Sequence, residues 1–569
     1  MHKGTGASSG IAIGKAFILP SFEWDFPETM VDVQDLALEF ERFYEGIRTS
    51  KDEIVTMKQE LSDVLGKEET NIFDAHLAIL EDPIFMNEVQ GLIQRQYKAA
   101  EVAVKEVVDK FVSMFELLDD EYMKERALDI KDVGNRLLKH LLGMYEDNLP
   151  PQDHPYILVA QELSPSQLAH LDPSRVLGIV TMVGGRTSHT AIMARAMGIP
   201  LVIGPDQGMD LPIQNGDLVV LDGDEGLMYI NPNPMVIELY VQRKEEWQRH
   251  RESLQRIVHE PAQTMDGTEM VLAANISSIK ELEMALKNGA TGVGLFRTEF
   301  LYMDRDTLPK EEEQFEVYRE VAQKNGGQPI VIRTLDIGGD KQLDYLALPE
   351  EDNPCLGYRA VRILLDRRDL FKTQLKAILR ASMYGNVKIM YPMISSVEEV
   401  RKANEVLEQA KRELLSEEKP FKPDVEVGIM IEVPAAVAIA DLLAREVQFF
   451  SIGTNDLVQY VLAVDRMNEK IAHLYDPYHP AIIRLLKQTI DAARTRGIPV
   501  SVCGEMAGDA QTLPLWLGLG VRVLSMSAQS LLQVKSRLLA SSEAESRALV
   551  EQILTCATSE EIKLVLQAQ

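Results

Sequence analysis

The residues best equipped for chemistry stand at the ends of short apolar runs between positions 263 and 569. The run 292-GVGLFR closes on Arg297, with Thr298 and Glu299 behind it, and 329-PIVIRT reaches Arg333 ahead of LDIGGDK. The run 425-VEVGIMIE ends in Glu432, 448-QFFSIGT leads into Asn455 and Asp456, and 498-IPVSVCG delivers Cys503 with Glu505 just beyond. Arg466 follows further along the same stretch as Asp456. Arginine offers a planar fork that binds phosphate or carboxylate bidentately and keeps its charge. Two acidic oxygens such as those of Glu432 and Asp456 suit Mg²⁺, a hard cation that takes one or two protein carboxylates and then substrate oxygens. A thiol, with an ordinary pKa near ~8.5, can give or take a proton. The implied ligand is a small phosphate-bearing anion whose charge is partly neutralised by Mg²⁺. Any single arginine or carboxylate here could equally be half of an ion pair across a barrel rim, and a lone cysteine could be a small buried apolar side chain. Their conjunction favours the ligand.

A second chemical feature lies elsewhere, in 184-GGRTSHTAIMARAMGIP. His189 has no second histidine, cysteine or carboxylate at metal-ligand spacing around it. Gly184 and Gly185 permit a tight backbone approach. Thr187 or Ser188 can cap a helix beginning near His189, and Gly198-Ile199-Pro200 stops it. A helix N-terminus presents unpaired N–H groups and a positive dipole end, which favours an anion and disfavours imidazolium. A neutral imidazole so placed can attack a phosphoryl group and carry it as phosphohistidine. The competing role is a histidine that packs or caps at a turn.

Elements must hold these residues in place. Eight β-like runs (269-EMVLAANI, 292-GVGLFR, 329-PIVIRT, 387-VKIMYPM, 425-VEVGIMIE, 448-QFFSIGT, 498-IPVSVCG, 521-VRVLSMS) alternate with helical patterns. That number and order predict a parallel (β/α)₈ TIM barrel over 263–569, whose chemistry gathers where the strands end. Residues 1–20 and 146–230 read as one α/β domain built of short strands. Between them, over 21–145, four amphipathic helical patterns predict an inserted helical bundle. Residues 231–262, opening on N-P-N-P, read as a helical linker with a hinge near its start.

Length and composition agree with several soluble domains. The chain has 569 residues, too many for one core. No apolar run approaches membrane-spanning length, and no secretory signal pattern opens the chain, which argues against membrane insertion. Three separated cysteines (Cys355, Cys503, Cys556) exclude a disulfide framework and a cysteine zinc site, and suit a reducing, cytoplasmic setting. The net charge of −29 argues against nucleic acid and for basic partners, although solubility alone would explain it.

Two of these stretches, 184-GGRTSHTAIMARA and 451-SIGTNDLVQYVLAVDR, resemble the signature motifs of the phosphoenolpyruvate-utilising enzymes. The likeness extends to 294-GLFRTEFLYMDRD, 333-RTLDIGGDK, 356-LGYRAVR, 432-EVPAA and 502-VCGEMAGD, and covers essentially the whole chain. The full arrangement is similar to the branch formed by the phosphoenolpyruvate–protein phosphotransferases, the enzyme I proteins of bacterial sugar uptake. That resemblance implies a phosphoryl group passed from phosphoenolpyruvate to Nε2 of His189, then to a histidine of the phosphocarrier HPr docked on the helical bundle, with pyruvate released. It implies that Arg297, Arg333 and Arg466 hold phosphoenolpyruvate with help from Asn455 and Asp456, and that Lys341 and Arg359 are anion contacts. It makes Glu432 and Asp456 the Mg²⁺ ligands and Cys503 the proton donor to the enolate carbon, and it implies a homodimer through the barrel. Acidic residues in 67-KEETNIFDAHLAILED-82 would suit a basic partner, as would any solvated helix face. Pyruvate phosphate dikinases and phosphoenolpyruvate synthases share both motifs, but need a nucleotide-binding domain, and no Gly-rich phosphate loop occurs in the first 150 residues. A regulatory paralogue would carry an additional sensory domain, and a non-catalytic scaffold would not need the full residue set.

Overall fold

The computed structural model describes residues 1–20, 24, 26, 29–62, 72–116, 121–144, 154–169, 171–185, 188–205, 211–303, 305, 307–339, 343–346, 348–349, 351–466, 468 and 470–568. They form two compact units, 1–250 and 251–569.

The first unit is built on an eight-stranded sheet. Its strands are β1 (His2–Lys3), β2 (Thr5–Ser8), β3 (Ile11–Ile18), β4 (Tyr156–Ala160), β5 (Val176–Thr181), β6 (Leu201–Ile203), β7 (Leu218–Asp222) and β8 (Leu227–Ile230), in the spatial order β1-β8-β7-β3-β4-β5-β6-β2. The central four, β3 to β6, run parallel, and the outer pairings are antiparallel. Side chains along β4 alternate between two cores, as a strand buried on both faces requires. Ile157 and Val159 join Val180, Val202 and Leu221 on one side. Leu158 and Ala160 join the inserted helices on the other.

That insertion leaves after β3 and returns at β4. Four helical patterns were expected from the sequence; the structure has five helices among the described residues: α1 (Leu36–Ser62), α2 (Ile72–Glu81), α3 (Pro83–Gln96), α4 (Ala100–Glu116) and α5 (Glu121–Leu142). The pattern from 69 onward breaks in two at Asp82–Pro83. Proline cannot continue the preceding helix and pushes the residue before it out of helical backbone. Asp82 takes extended geometry, and its carboxylate accepts from Ile84 N at 2.6 Å, capping α3. One core joins α1 to α5 with the sheet and with two further helices, α6 (Pro165–Ala169) and α7 (His189–Met197).

A last helix of this unit, α8 (Pro234–Arg256), runs on into the second unit. In the first unit Tyr240 is buried against Tyr229, and Arg243 pairs with Asp222 and Glu225 at 3.6 and 3.3 Å. The N-P-N-P stretch before it is held to the sheet: Asn231 accepts from Leu218 N at 3.0 Å and donates to Asp217 at 2.8 Å.

The second unit is the predicted barrel. Its eight parallel strands are β9 (Val271–Ile276), β10 (Val293–Phe296), β11 (Pro329–Arg333), β12 (Asn386–Tyr391), β13 (Val427–Ile431), β14 (Phe449–Ile452), β15 (Val500–Val502) and β16 (Val523–Met526), and β16 closes onto β9. Each overlaps one of the eight apolar runs, and only β12 starts a residue before its run. Inside the barrel Leu295, Val331, Met390, Met430 and Phe449 pack with Cys503. No helix among the described residues is long and apolar enough to cross a membrane.

Candidate active site

Parallel closure places the last residue of each strand and the first residues beyond it on one rim. Arg333 ends β11, Glu432 follows β13, Cys503 follows β15, and Asp456 lies in the first turn of the helix Thr454–Leu462 that leaves β14. Arg359 arrives on the segment just before the helix Val361–Asp366. The rim brings five of the residues expected from the sequence, Arg333, Arg359, Glu432, Asp456 and Cys503, into one buried lattice.

The lattice has a definite wiring. Arg333 donates to Glu299 at 3.0 Å and pairs with Asp336 at 2.8 Å. Arg359 reaches both oxygens of Asp336 at 3.0 and 3.1 Å, then Asp456 Oδ2 at 3.0 Å. Its remaining Nη1 donates to the Tyr460 hydroxyl, which donates onward to the Cys355 carbonyl. Glu432, 1% exposed, accepts the Met393 amide at 2.6 Å. A Cβ on Gly453 would come within 2.8 Å of Glu432 Oε2, so this position needs glycine for space. Ala360, Met393 and Ala463, all near site residues, hold positive φ of 54°, 56° and 54°. Such backbone is costly outside glycine and persists only where the surroundings enforce it.

Charge crowding sets the titration. Burial pushes the Glu432 carboxyl up, and the nearby negative charges of Asp456 and Asp336 add to it, against the pull of Arg333 and Arg359; the result is about 8. Burial also pushes the Cys503 thiol up to about 11, although Ser451 donates to its sulfur at 3.3 Å and Arg333 and Arg297 draw it down. The thiol therefore keeps its proton at neutral pH. Its backbone is fixed too: Asn275 donates to the Cys503 carbonyl at 2.9 Å, and Ser525 donates to Asn275 at 2.7 Å.

Five buried polar atoms of this rim lack hydrogen-bond partners: Glu299 Oε2, Thr454 Oγ1, Arg333 Nε, Arg466 Nη1 and Asp456 Oδ1. The last two are 3.7 Å apart, beyond hydrogen-bond reach. Buried polar atoms are nearly always satisfied, so unfilled guanidinium donors beside unfilled carboxylate acceptors mark where a ligand with both anionic and cationic parts would sit. Glu432 and Asp456 are the carboxylates available to a cation there. Among the described residues no group of three or more histidine, cysteine or acidic side chains is arranged for a metal, so a cation would complete its shell with ligand or water oxygens.

The other expected residues are placed as follows. Arg297 stands exposed just past β10. Asn455 is half-buried and turns its carboxamide to Glu505, accepting from the Glu505 amide at 2.9 Å. Lys341 lies outside the described residues. The His189 backbone opens α7; its side chain lies outside what the structure describes. Ser188 is the cap of that helix, accepting from Ala191 N at 3.3 Å, and Gly198 ends it at φ 68°. Gly184 holds φ 132°, a conformation closed to other residues.

Sequence reasoning missed Asp336, Tyr460, Asn275 and Ser451 as members of the lattice. Asp336 was within the quoted motif 333-RTLDIGGDK, three residues after Arg333, and that spacing was the available signal. Ser451 and Tyr460 likewise lay within the quoted motif 451-SIGTNDLVQYVLAVDR, whereas Asn275, on a strand with no charged residue at its end, had no such signal.

Comparison with known proteins agrees with this architecture. Residues 251–543 match the PEP-binding domain of PEP-utilising enzymes, residues 3–126 their N-terminal domain and residues 152–226 their mobile domain. A phosphoenolpyruvate-protein phosphotransferase of Bacillus sp. (strain S) is 46% identical over 559 residues, 98% of this chain and 96% of that one. One of Bacillus subtilis (strain 168) is 46% identical over 560 residues, 98% of each chain. One of Staphylococcus aureus is 44% identical over 562 residues, again 98% of each. The chain therefore belongs to the PEP-utilising enzymes and, within them, to the phosphoenolpyruvate–protein phosphotransferase family of transferases.

Proposed function

We propose that the chain transfers the phosphoryl group of phosphoenolpyruvate to Nε2 of His189, and from there to a histidine of an HPr-type phosphocarrier at the entry to sugar uptake. Pyruvate is the second product. The carrying observation is the set of unfilled atoms on the barrel rim, among them Arg333 Nε, Arg466 Nη1 and Asp456 Oδ1, on the same rim as the buried Cys503 thiol.

The residues divide the work by charge. Arg297, Arg333 and Arg466 bind the phosphate and carboxylate of the substrate, with Asn455, Arg359 and Lys341 supporting them. Fixed guanidiniums stabilise charge that develops on the transferring group without reorganising during the reaction. Glu432 and Asp456 would hold Mg²⁺, which supplies further neutralisation of phosphate oxygens when bound. His189 Nε2 supplies the electron pair for the new N–P bond as the P–O bond to the enol breaks. The enolate carbon then takes the Cys503 proton, giving pyruvate, and the thiolate is left beside Arg333 and Arg297 until it is reprotonated from solvent. The helical insertion would receive the phosphocarrier, and the barrel would form a homodimer. The protein would work in the cytoplasm.

Incubation with ³²P-labelled phosphoenolpyruvate and Mg²⁺, without nucleotide, tests this. Acid-labile label should appear on the wild-type chain and pass to added HPr, while His189→Ala takes none. Label that requires ATP, or that persists in His189→Ala, overturns the proposal.

A further inference from the structure

Helix α5 carries a polar stripe into the bundle core at helical spacing: Asp129, Asp132 and Arg136 are all buried. Arg136 is paired, reaching Glu53 at 2.6 Å. The two carboxylates face a different neighbour. His76 of α2 is 0% exposed and neither ring nitrogen has a hydrogen-bond partner; Nε2 lies 3.5 Å from Asp129 and Nδ1 4.0 Å from Asp132. The imidazole thus spans two carboxylates on successive turns of one helix. The bonds of Asp132 point elsewhere. Its Oδ1 accepts the Ser164 hydroxyl at 3.0 Å and its Oδ2 the Ser166 amide at 3.4 Å.

Those two serines begin α6, which lies between β4 and β5 of the sheet. Ser164 also accepts from the Gln167 amide at 3.2 Å, and Gln167 reaches back to the Ser164 amide at 3.0 Å, a reciprocal cap that makes this turn one rigid piece. Immediately before it, the Leu163 carbonyl accepts the Thr190 hydroxyl at 2.8 Å. Thr190 is the residue after His189, in the first turn of α7. A short chain of bonds therefore runs from the bundle interior, through residues 163–166, to the mouth of the helix that carries His189. Leu163, Leu168, Ala191 and Ala194 share one core with Ile130 and Val133 of α5, so the path is packed along its length.

We propose that Asp132 is a positioning residue for phosphoryl transfer: anchored in the bundle, it fixes the 163–166 turn, which through Thr190 fixes the first turn of α7 and with it the direction in which His189 is presented. A carboxylate suits the task because its two oxygens accept at once from the Ser164 hydroxyl and the Ser166 amide, tying both ends of the turn to one buried side chain. Direction matters because transfer depends on near-attack geometry, and displacement of a reacting atom by about 1 Å can cost on the order of 100-fold in rate. The consequence for rate rests on His189 being the phosphoryl acceptor; the coupling between Asp132 and α7 does not.

The full-length chain carrying Asp132→Asn, Ser164→Ala, Thr190→Val, Thr190→Ser or the Asp132→Asn/Thr190→Val pair tests this with two readouts. The first is amide hydrogen exchange at Ala191 and Ile192. The second is single-turnover labelling from phosphoenolpyruvate alongside its steady-state KM. Asp132→Asn, Ser164→Ala and Thr190→Val should each speed exchange at those two amides and slow transfer by roughly tenfold, with KM for phosphoenolpyruvate unchanged. Thr190→Ser, which keeps the hydroxyl, should behave as wild type. The pair should be no slower than about the worse single variant, since members of one path are not additive. Multiplicative losses, or lowered melting of the first unit with unchanged exchange at 191 and 192, overturn the proposal. If the wild-type chain takes no label at His189, the phosphohistidine assignment fails, and the exchange readout still decides whether Asp132 governs α7.

Discussion

The barrel rim and the mouth of α7 solve opposite problems. On the rim, Arg333, Arg359, Glu299, Asp336, Glu432 and Asp456 crowd into a buried lattice with short bonds and strained backbone between them. Around His189 the described residues supply a serine cap on α7, a glycine at positive φ and a threonine hydroxyl bonded to the Leu163 carbonyl. The rim must bind a small, highly charged molecule and stabilise charge that appears only in transit, which calls for many fixed groups. A residue that receives a phosphoryl group in one place and gives it up in another gains from a setting that binds neither state too tightly. Under the proposed function, the crowded charge serves the breaking of bonds and the mouth of α7 serves the carrier.

Substitution at the two places should separate these roles. His189→Gln should abolish labelling altogether while shifting the stability of the first unit by no more than about 0.5 kcal/mol, as urea melts of the full chain would show. Asp336→Asn, which leaves every proposed substrate-binding residue in the chain but removes the carboxylate that holds Arg333 and Arg359, should lower labelling by about 100-fold or more. It should also cost the barrel on the order of 3–5 kcal/mol, because two buried guanidiniums lose a shared counter-charge. An Asp336→Asn barrel as stable as wild type would dissolve the contrast between the two places.

A milder probe is the thiol. With Cys503 raised to about 11, its alkylation by iodoacetamide should stay slow through neutral pH and climb only as pH approaches that value, well beyond an ordinary thiol near ~8.5. Fast modification at neutral pH would show that the rim does not hold the proton. The smallest effect belongs to the first unit. Burial pushes the Glu53 carboxyl up, but His140 and Arg136, at 2.8 and 2.6 Å, outweigh burial and hold it at about 2, below its ordinary 4.5. A depressed carboxylate contributes stability that is present above pH 4.5 and lost as pH falls toward 2. Glu53→Gln should flatten the acid limb of unfolding followed by helix-bundle circular dichroism. An unchanged limb would mean that another group sets it.

Much of this molecule is legible in its sequence, for identifiable reasons. Each barrel strand is a short apolar run bounded by turn residues and separated by amphipathic helices, so period and order alone give the closed sheet. Arg333, Glu432 and Cys503 could be read because parallel strands put their ends on one rim. Asp336 could not be assigned its role in advance. Its partners Arg333 and Arg359 are 3 and 23 positions away, and only the path of the intervening loop decides whether they meet. The break at Asp82–Pro83 was visible as a dipeptide, yet the apolar periodicity on either side of it hid a fifth helix. Asp132 was hidden for a third reason: on a helix wheel it is one more acidic residue, and only packing shows that it faces inward.

Met393 carries a consequence for anyone seeking a hardier version of this protein. Left-handed positions occupied by bulky residues are ordinarily the first targets for glycine, since relief of that backbone conformation is worth roughly 1–2 kcal/mol. At 393 the same exchange would let the peptide swing, and its N–H is what points at Glu432. Heat tolerance gained there would come out of the carboxylate's aim, so thermostabilising substitutions are better sought at Glu418, an exposed residue with a φ of 56° just past the helix Val397–Ser416, whose backbone holds no site residue.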